Sequence, residues 1–277
     1  MNKISFFIAA LLISSTAFAQ DMADKLTLQK GDIVKVTSDI NSANTQAMMG
    51  GDPMESKAII HTYTELEIKE QLPEGYKVSQ TLKKMTLDFE GFGQKMKYDS
   101  ESKEKQDNPF VKQIGESVGK SEELILGFDG KVIEDEKADD PKSDSKGIMK
   151  MMGMSSSPTA ESAFLLIPKD AVAKGGWETT VEKDGMKTRR KYTLGAMMGD
   201  MATVTVQSQT KGDVAMNRGG MAMTTKVNTL TEEEIMVNTK TGRVQMQHVN
   251  MTNNSKTIMN DTESPSTGKT TVNTTFE

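Results

Sequence analysis

Two histidines, His61 and His248, are the whole imidazole supply of the chain, and there is no cysteine. That composition removes thiolate zinc sites, iron–sulfur clusters, disulfide frameworks and cysteine nucleophiles from consideration. Gly115-Glu116-Ser117-Val118-Gly119 fits the G-x-S-x-G spelling of a serine hydrolase elbow. The elbow needs a strand before its serine, and residues 108 to 114 read as helix, so a glycine-bounded helix end is the better reading. Gly268-Lys269-Thr270 resembles the tail of a phosphate loop, but Glu263 stands where the first glycine is required. Glu134, Asp135, Glu136, Asp139 and Asp140 lack the alternating order of a calcium loop and read as a solvated acidic stretch. A His61–His248 metal pair would form only if the two strands faced each other across sheets. No catalytic group emerges, no cofactor is implied, and the expectation is a non-enzymatic protein.

Methionine is the anomaly: 22 residues, in clusters at Met48-Met49, Met149-x-Met151-Met152-x-Met154, Met197-Met198 and Met216-x4-Met221-x-Met223. Thioethers at such spacing suit Cu(I) in an oxidising compartment, which makes Met149, Met151, Met152 and Met154 the candidate metal ligands. The same unbranched, polarizable side chains also make an adaptable apolar lining, or plain core filler in place of leucine.

The elements that position these groups follow from a period of two. Met85, Leu87 and Phe89 alternate with Thr86, Asp88 and Glu90; Ala202, Val204 and Val206 alternate with Thr203, Thr205 and Gln207. Successive side chains of a strand point to opposite faces, so the pattern predicts antiparallel strands with one wet face. Pro73-Glu74-Gly75, Gly91, Asp129-Gly130, Asp184-Gly185 and Thr241-Gly242 supply turn chemistry between the runs. Asn108-Pro109 opens a short helix reaching about Val118, and a second is expected near 147–154. Features recur in order: Lys30-Gly31-Asp32 with Tyr63-Thr64, then Lys174-Gly175-Gly176-Trp177 with Tyr192-Thr193. The expected fold is therefore all-β and mainly antiparallel, with two similar curved sheets of sandwich or half-barrel type. Its halves span 20–133 and 159–277, joined by an acidic, Ser- and Met-rich linker at 134–158.

Residues 1–19 carry Lys3, an apolar run from Ile4 to Ile13 and Ala17-Phe18-Ala19, the three regions of a signal peptide. Gln20 stands where a lipid-modified cysteine would be needed. The expected location is the periplasm or cell surface. With 34 basic and 39 acidic residues and no basic stripe, nucleic acid is not an expected partner. An outer-membrane barrel fits the alternation, but aromatic residues at 5% are too few for two girdles.

Lys30-Gly31-Asp32, Tyr98-Asp99-Ser100, Gly127-Phe128-Asp129-Gly130-Lys131-Val132 and the run from Phe164 through Pro168 to Gly175-Gly176-Trp177 resemble an uncharacterised family of exported β-rich proteins from Bacteroidota. The similarity runs from about Lys25 to Met251 and implies a Gram-negative envelope setting, with no activity or site residues to carry over. In outline the expected fold is also similar to bacterial lipoprotein carriers, whose half-barrels hold acyl chains. The reading is a binding protein for a lipid-like ligand or an envelope protein partner, with Met85, Leu87, Phe89, Trp177, Met221 and Met223 as lining. Methionine-based Cu(I) binding and a purely structural envelope role are the alternatives.

Overall fold

The computed structural model describes residues 22–47, 52–91, 93–102, 108–133, 160–183, 185–218, 221–259 and 262–277. The expected signal peptide, the linker at 134–158, its acidic stretch, the second helix and Met149 to Met154 all lie outside the described residues.

Twelve antiparallel strands form one sheet. They are β1 (Ile33–Ala47), β2 (Pro53–Leu72), β3 (Gly75–Gly91), β4 (Gln94–Asp99), β5 (Ser121–Gly127), β6 (Val132–Ile133), β7 (Gly176–Lys183), β8 (Met186–Met198), β9 (Met201–Arg218), β10 (Met221–Asn238), β11 (Val244–Met259) and β12 (Thr262–Phe276). The order across the sheet is β6-β5-β3-β2-β1-β12-β11-β10-β9-β8-β7, with β4 beside the far half of β3. Two short helices interrupt the strands, α1 (Pro109–Gly115) between β4 and β5 and α2 (Lys169–Lys174) before β7. The fold is thus all-β, a curved open half-barrel. Where two curved sheets were expected there is one, because β1 and β12 pair in unbroken register from Val36↔Phe276 to Gln46↔Ser266. Two edge strands that satisfy each other's backbone groups leave no edge between the halves.

Alternation explains which face is hidden. In β1, Val34, Val36, Ser38, Ile40 and Ser42 are buried, and every intervening residue from Ile33 to Ala43 is exposed. The outward face is charged and laced with exposed ion pairs such as Lys97–Asp88 (3.0 Å) and Lys95–Glu90 (2.9 Å). Hairpins turn where the sequence has its glycines. In the β10–β11 turn Gly242 has φ +69°, and the Asn238 side chain accepts from the Lys240 and Thr241 amides.

Two clusters fill the inward face. The larger gathers Val34, Leu66, Val78, Leu126, Val204 and Val237 at one end of the sheet, beneath the N-terminal segment and residues 160–171. The smaller packs Ile40, Ile60, Met85, Leu87 and Phe89 against Val111 and Ile114 of α1. Between the clusters runs a hydroxyl seam, with Ser38 and Thr274 hydrogen-bonded at 3.0 Å and fully buried.

Two straps close the end that holds the larger cluster. The first, 22–31, runs across both halves: the Ala23 amide donates to the Thr239 carbonyl (2.8 Å), and the Leu26 amide to the Phe128 carbonyl (2.8 Å). The second, 160–168, begins as a 3₁₀ turn at Ala160–Ala163. It hooks onto the β10–β11 turn through the Leu165 amide and the Gly242 carbonyl (2.8 Å). Lys169, the first residue of α2, pairs with Asp24 of the first strap (2.7 Å), and Arg243 holds Asp32 at 2.5 Å. Among the described residues no helix is long and apolar enough to cross a membrane.

Candidate functional site

Strand register assembles a row across ten strands on the inward face: Trp177, Tyr192, Val206, Glu233, Val249, Val272, Ile40, Ile60, Leu87 and Tyr98. Nine of those positions are aromatic or aliphatic. Glu233 alone carries a formal charge, at a position where a strand of this face would be expected to place an aliphatic residue.

The carboxylate lies in a cleft of ≈ 660 Å³ between the second strap and the inward face of β7 to β11. That size falls within the usual ~300–1,000 Å³ of small-molecule sites. Val206, Ile235 and Val244 make the floor, and Phe164, Leu165 and Ile167 of the strap make the roof. Trp177 and Tyr192 form the side wall, their rings stacked at 4.4 Å and 4°. Gly176 permits that approach. Its φ is +153°, and a Cβ there would lie 2.1 Å from the Tyr192 carbonyl oxygen.

Glu233 accepts a hydrogen bond from Gln247 Nε2 at 2.9 Å. Burial raises its pKa above the usual carboxylate value, against the pull of the Gln247 amide and of the Arg190 charge. Arg190 lines the same cleft one row further out, on β8, with Thr179 beside it. Two strand spacings and two residues of rise separate the Arg190 and Glu233 backbones, roughly 12 Å, and the side chains make no ion pair among the described residues. Arg190 is exposed and Glu233 half-buried, so of the two charged groups lining the cleft the guanidinium is the more open to solvent. The arrangement is an apolar slot with a polar pair at its outer end.

The residues expected to line a ligand site do not converge. Met85, Leu87 and Phe89 sit together, packed under α1 in the smaller cluster. Trp177 lies in the cleft. Met223 is at the opposite end of β10, in register with Met216 on β9 and Met259 on β11; Met221, paired with Arg218, begins the same strand. Glu233, Arg190 and Gln247 were missed. A legible signal existed for Glu233, which shares the strand parity of Ile235 and Val237 in a run of three glutamates.

The other motifs resolve as local structure. Ser117 Oγ donates to the Ile114 carbonyl (2.6 Å) just past α1, as a helix end does. Gly268-Lys269-Thr270 lies within β12. The histidines do not face each other across sheets: both lie on the outward face of one sheet, with Asn273 and Asp39 on the two strands between them. His61 Nδ1 contacts Asp39, and His248 Nδ1 contacts Asn273 Oδ1 at 2.6 Å.

A family model described as a family of unknown function (DUF6263) matches residues 73–244, more than half of the chain. No curated protein matches the sequence. Among solved structures, one concerning lipid–protein interactions in lipovitellin shares 8% identity at TM-score 0.43, covering 89% of this chain and 25% of that one. This chain therefore spans about a quarter of the lipovitellin chain. OpdQ of Pseudomonas aeruginosa matches at 6% identity and TM-score 0.25, covering 89% and 99% of the two chains. A putative exported protein with a YmcC-like fold from Bacteroides fragilis matches at 11% identity and TM-score 0.17, covering 88% and 95%. All three are remote likenesses.

Proposed function

The chain belongs to this family of unknown function, and from its cleft we propose that it is an exported, non-enzymatic binding protein holding an apolar ligand against its curved sheet. The observation that carries the proposal is the half-open slot between strap and sheet, floored by Val206, Ile235 and Val244 and walled by Trp177 and Tyr192. Apolar lining with a few convergent polar groups is the usual form of a small-molecule site. Export is supported by the charged, apolar and small-residue regions of residues 1–19. Binding rather than catalysis is supported by the location of both histidines, which stand on the outward face and away from the cleft.

Native mass spectrometry of the purified protein, followed by solvent extraction, tests the reading. The expected result is an adduct released as a lipid-like molecule, together with saturable binding of a fluorescent fatty acid. A bare mass and no binding would defeat it, and a stable protein partner in crosslinking would favour the structural role instead.

The register of Met223 and Met259 favours a second reading, Cu(I) binding. Two methionines directly opposite each other on adjacent strands, with backbones about 5 Å apart, are spaced for soft ligation. Cu(I) titration against a competing chelator should show a site that Met223→Leu with Met259→Leu removes. Unchanged affinity in that variant would discard it.

A further inference from the structure

We propose that the cleft selects a long-chain monocarboxylic acid, seating its carboxyl group between Arg190 and Glu233 and its tail along the apolar floor beneath the strap. This inference rests on the apolar-ligand reading above and adds the chemistry of the head group.

The two charged residues of the cleft lining set the requirement. Arg190 is an exposed cation in the cleft lining with no ion-pair partner among the described residues, so its guanidinium is free to take an anionic acceptor. Glu233 lies deeper in the lining, with one hydrogen bond from Gln247 and further acceptor capacity on its carboxyl. A ligand carboxylate alone would be repelled by an ionised Glu233, but two carboxyl groups at hydrogen-bond distance share one proton. Burial pushes the Glu233 pKa up, which lowers the cost of sharing that proton, and Arg190 balances the single remaining charge. The pair needs no metal and no third charge.

Other head groups meet this arrangement badly. An ammonium would face Arg190. A phosphate monoester would bring nearly two negative charges against Glu233. An alcohol would accept from Arg190 and donate to Glu233 but would leave the guanidinium without a counter-charge. For the tail, the floor of Val206, Ile235 and Val244 runs inward from Glu233 across three strands, and Phe164 and Leu165 cover it. Head at the exposed mouth and tail under the strap is the one orientation in which both ends meet matching surfaces.

The test uses the single tryptophan, Trp177, which lines the cleft. The purified protein is titrated at pH 7 with hexadecanoic acid, hexadecanol and methyl hexadecanoate, each below its aggregation threshold. Binding is followed by Trp177 fluorescence and independently by calorimetry. The acid is expected to bind about tenfold or more tightly than the alcohol or ester, as a charge-assisted hydrogen bond to Arg190 requires. Arg190→Gln should reduce that advantage to within about twofold while leaving the alcohol's affinity in place. Glu233→Gln, whose amide donates without sharing a proton, should keep the preference for the acid. Equal affinities for the three ligands, or an Arg190→Gln variant that weakens acid and alcohol alike, would overturn the head-group assignment and leave the apolar-ligand reading standing. Binding of none of them, by either method, would overturn both.

Discussion

Replacing Tyr76 by phenylalanine removes one oxygen atom from a place where two backbone groups depend on it. The Tyr76 hydroxyl donates to the Leu26 carbonyl at 3.0 Å and accepts from the Leu28 amide at 3.2 Å. Tyr76, Leu26 and Leu28 are all at least 95% buried, so water does not reach either backbone group. The ring itself packs edge-on against Phe128, with centroids 5.3 Å apart at 81°, and phenylalanine keeps that contact. The variant therefore isolates the hydroxyl. Each buried backbone group left without a partner costs about 1–3 kcal/mol, which gives about 2–4 kcal/mol for the pair after modest relaxation. For a chain of this size that corresponds to roughly 5–12 °C in Tm. Urea unfolding followed by Trp177 fluorescence measures the total, and hydrogen exchange at the Leu28 amide shows where it arises. Because the first strap also supplies Ala23 and Asp24 to the cleft, ligand affinity should fall along with stability. A loss under about 0.5 kcal/mol, typical of an ordinary surface change, with Leu28 still protected, would refute the claim that this hydroxyl clasps the strap to the sheet.

Ser38→Ala should cost about 1–2 kcal/mol by leaving the Thr274 hydroxyl buried and unpaired, while Ser38→Ala with Thr274→Val should return to within about 0.5 kcal/mol of the parent; a urea double-mutant cycle measures this coupling across the seam. Gly176→Ala should destabilise the protein by about 1–3 kcal/mol or more, since its Cβ would meet the Tyr192 carbonyl oxygen; Trp177 emission should shift to the red as the stacked pair separates. Glu233 has a raised pKa in the folded state, so folding takes up a proton near that carboxyl, and the ionised group weakens the fold as pH rises past its ordinary value of 4.5. Glu233→Gln should therefore be more stable than the parent at pH 7, with the difference shrinking toward zero near pH 4 as both side chains become neutral. Urea midpoints at the two pH values check the sign, and a larger gain at pH 4 would reverse it.

Much of the strand architecture was legible because burial on a half-wet sheet imposes a period of two. Met85, Leu87 and Phe89 read as one inward face, and they form one. The helix opened by Asn108-Pro109 and the turns at Asp129-Gly130 and Thr241-Gly242 followed from local backbone preference. The cleft was less legible. Trp177 was found through the turn that precedes it, whereas its wall partner Tyr192 and the roof residues come from segments whose meeting depends on register. Glu233 was hidden by its neighbours: among Glu232, Glu233 and Glu234, parity alone distinguishes the middle residue, and parity is counted from Ile235 and Val237. Met259 stands outside the methionine clusters of the sequence, and only strand register sets it opposite Met223.

The amino-acid sequence by itself determined that this chain hides one face of long antiparallel strands and shows a charged one, because alternation is a local property that each strand carries on its own. Tertiary structure alone decided that β1 and β12 join the two runs into a single sheet, that two straps close one end of it, and that Arg190 and Glu233 share one mouth. The hydrogen bonds that pair one strand with another are the same for every residue type. Partner and register are therefore chosen by the summed packing of a whole face, and no short stretch of sequence contains that sum.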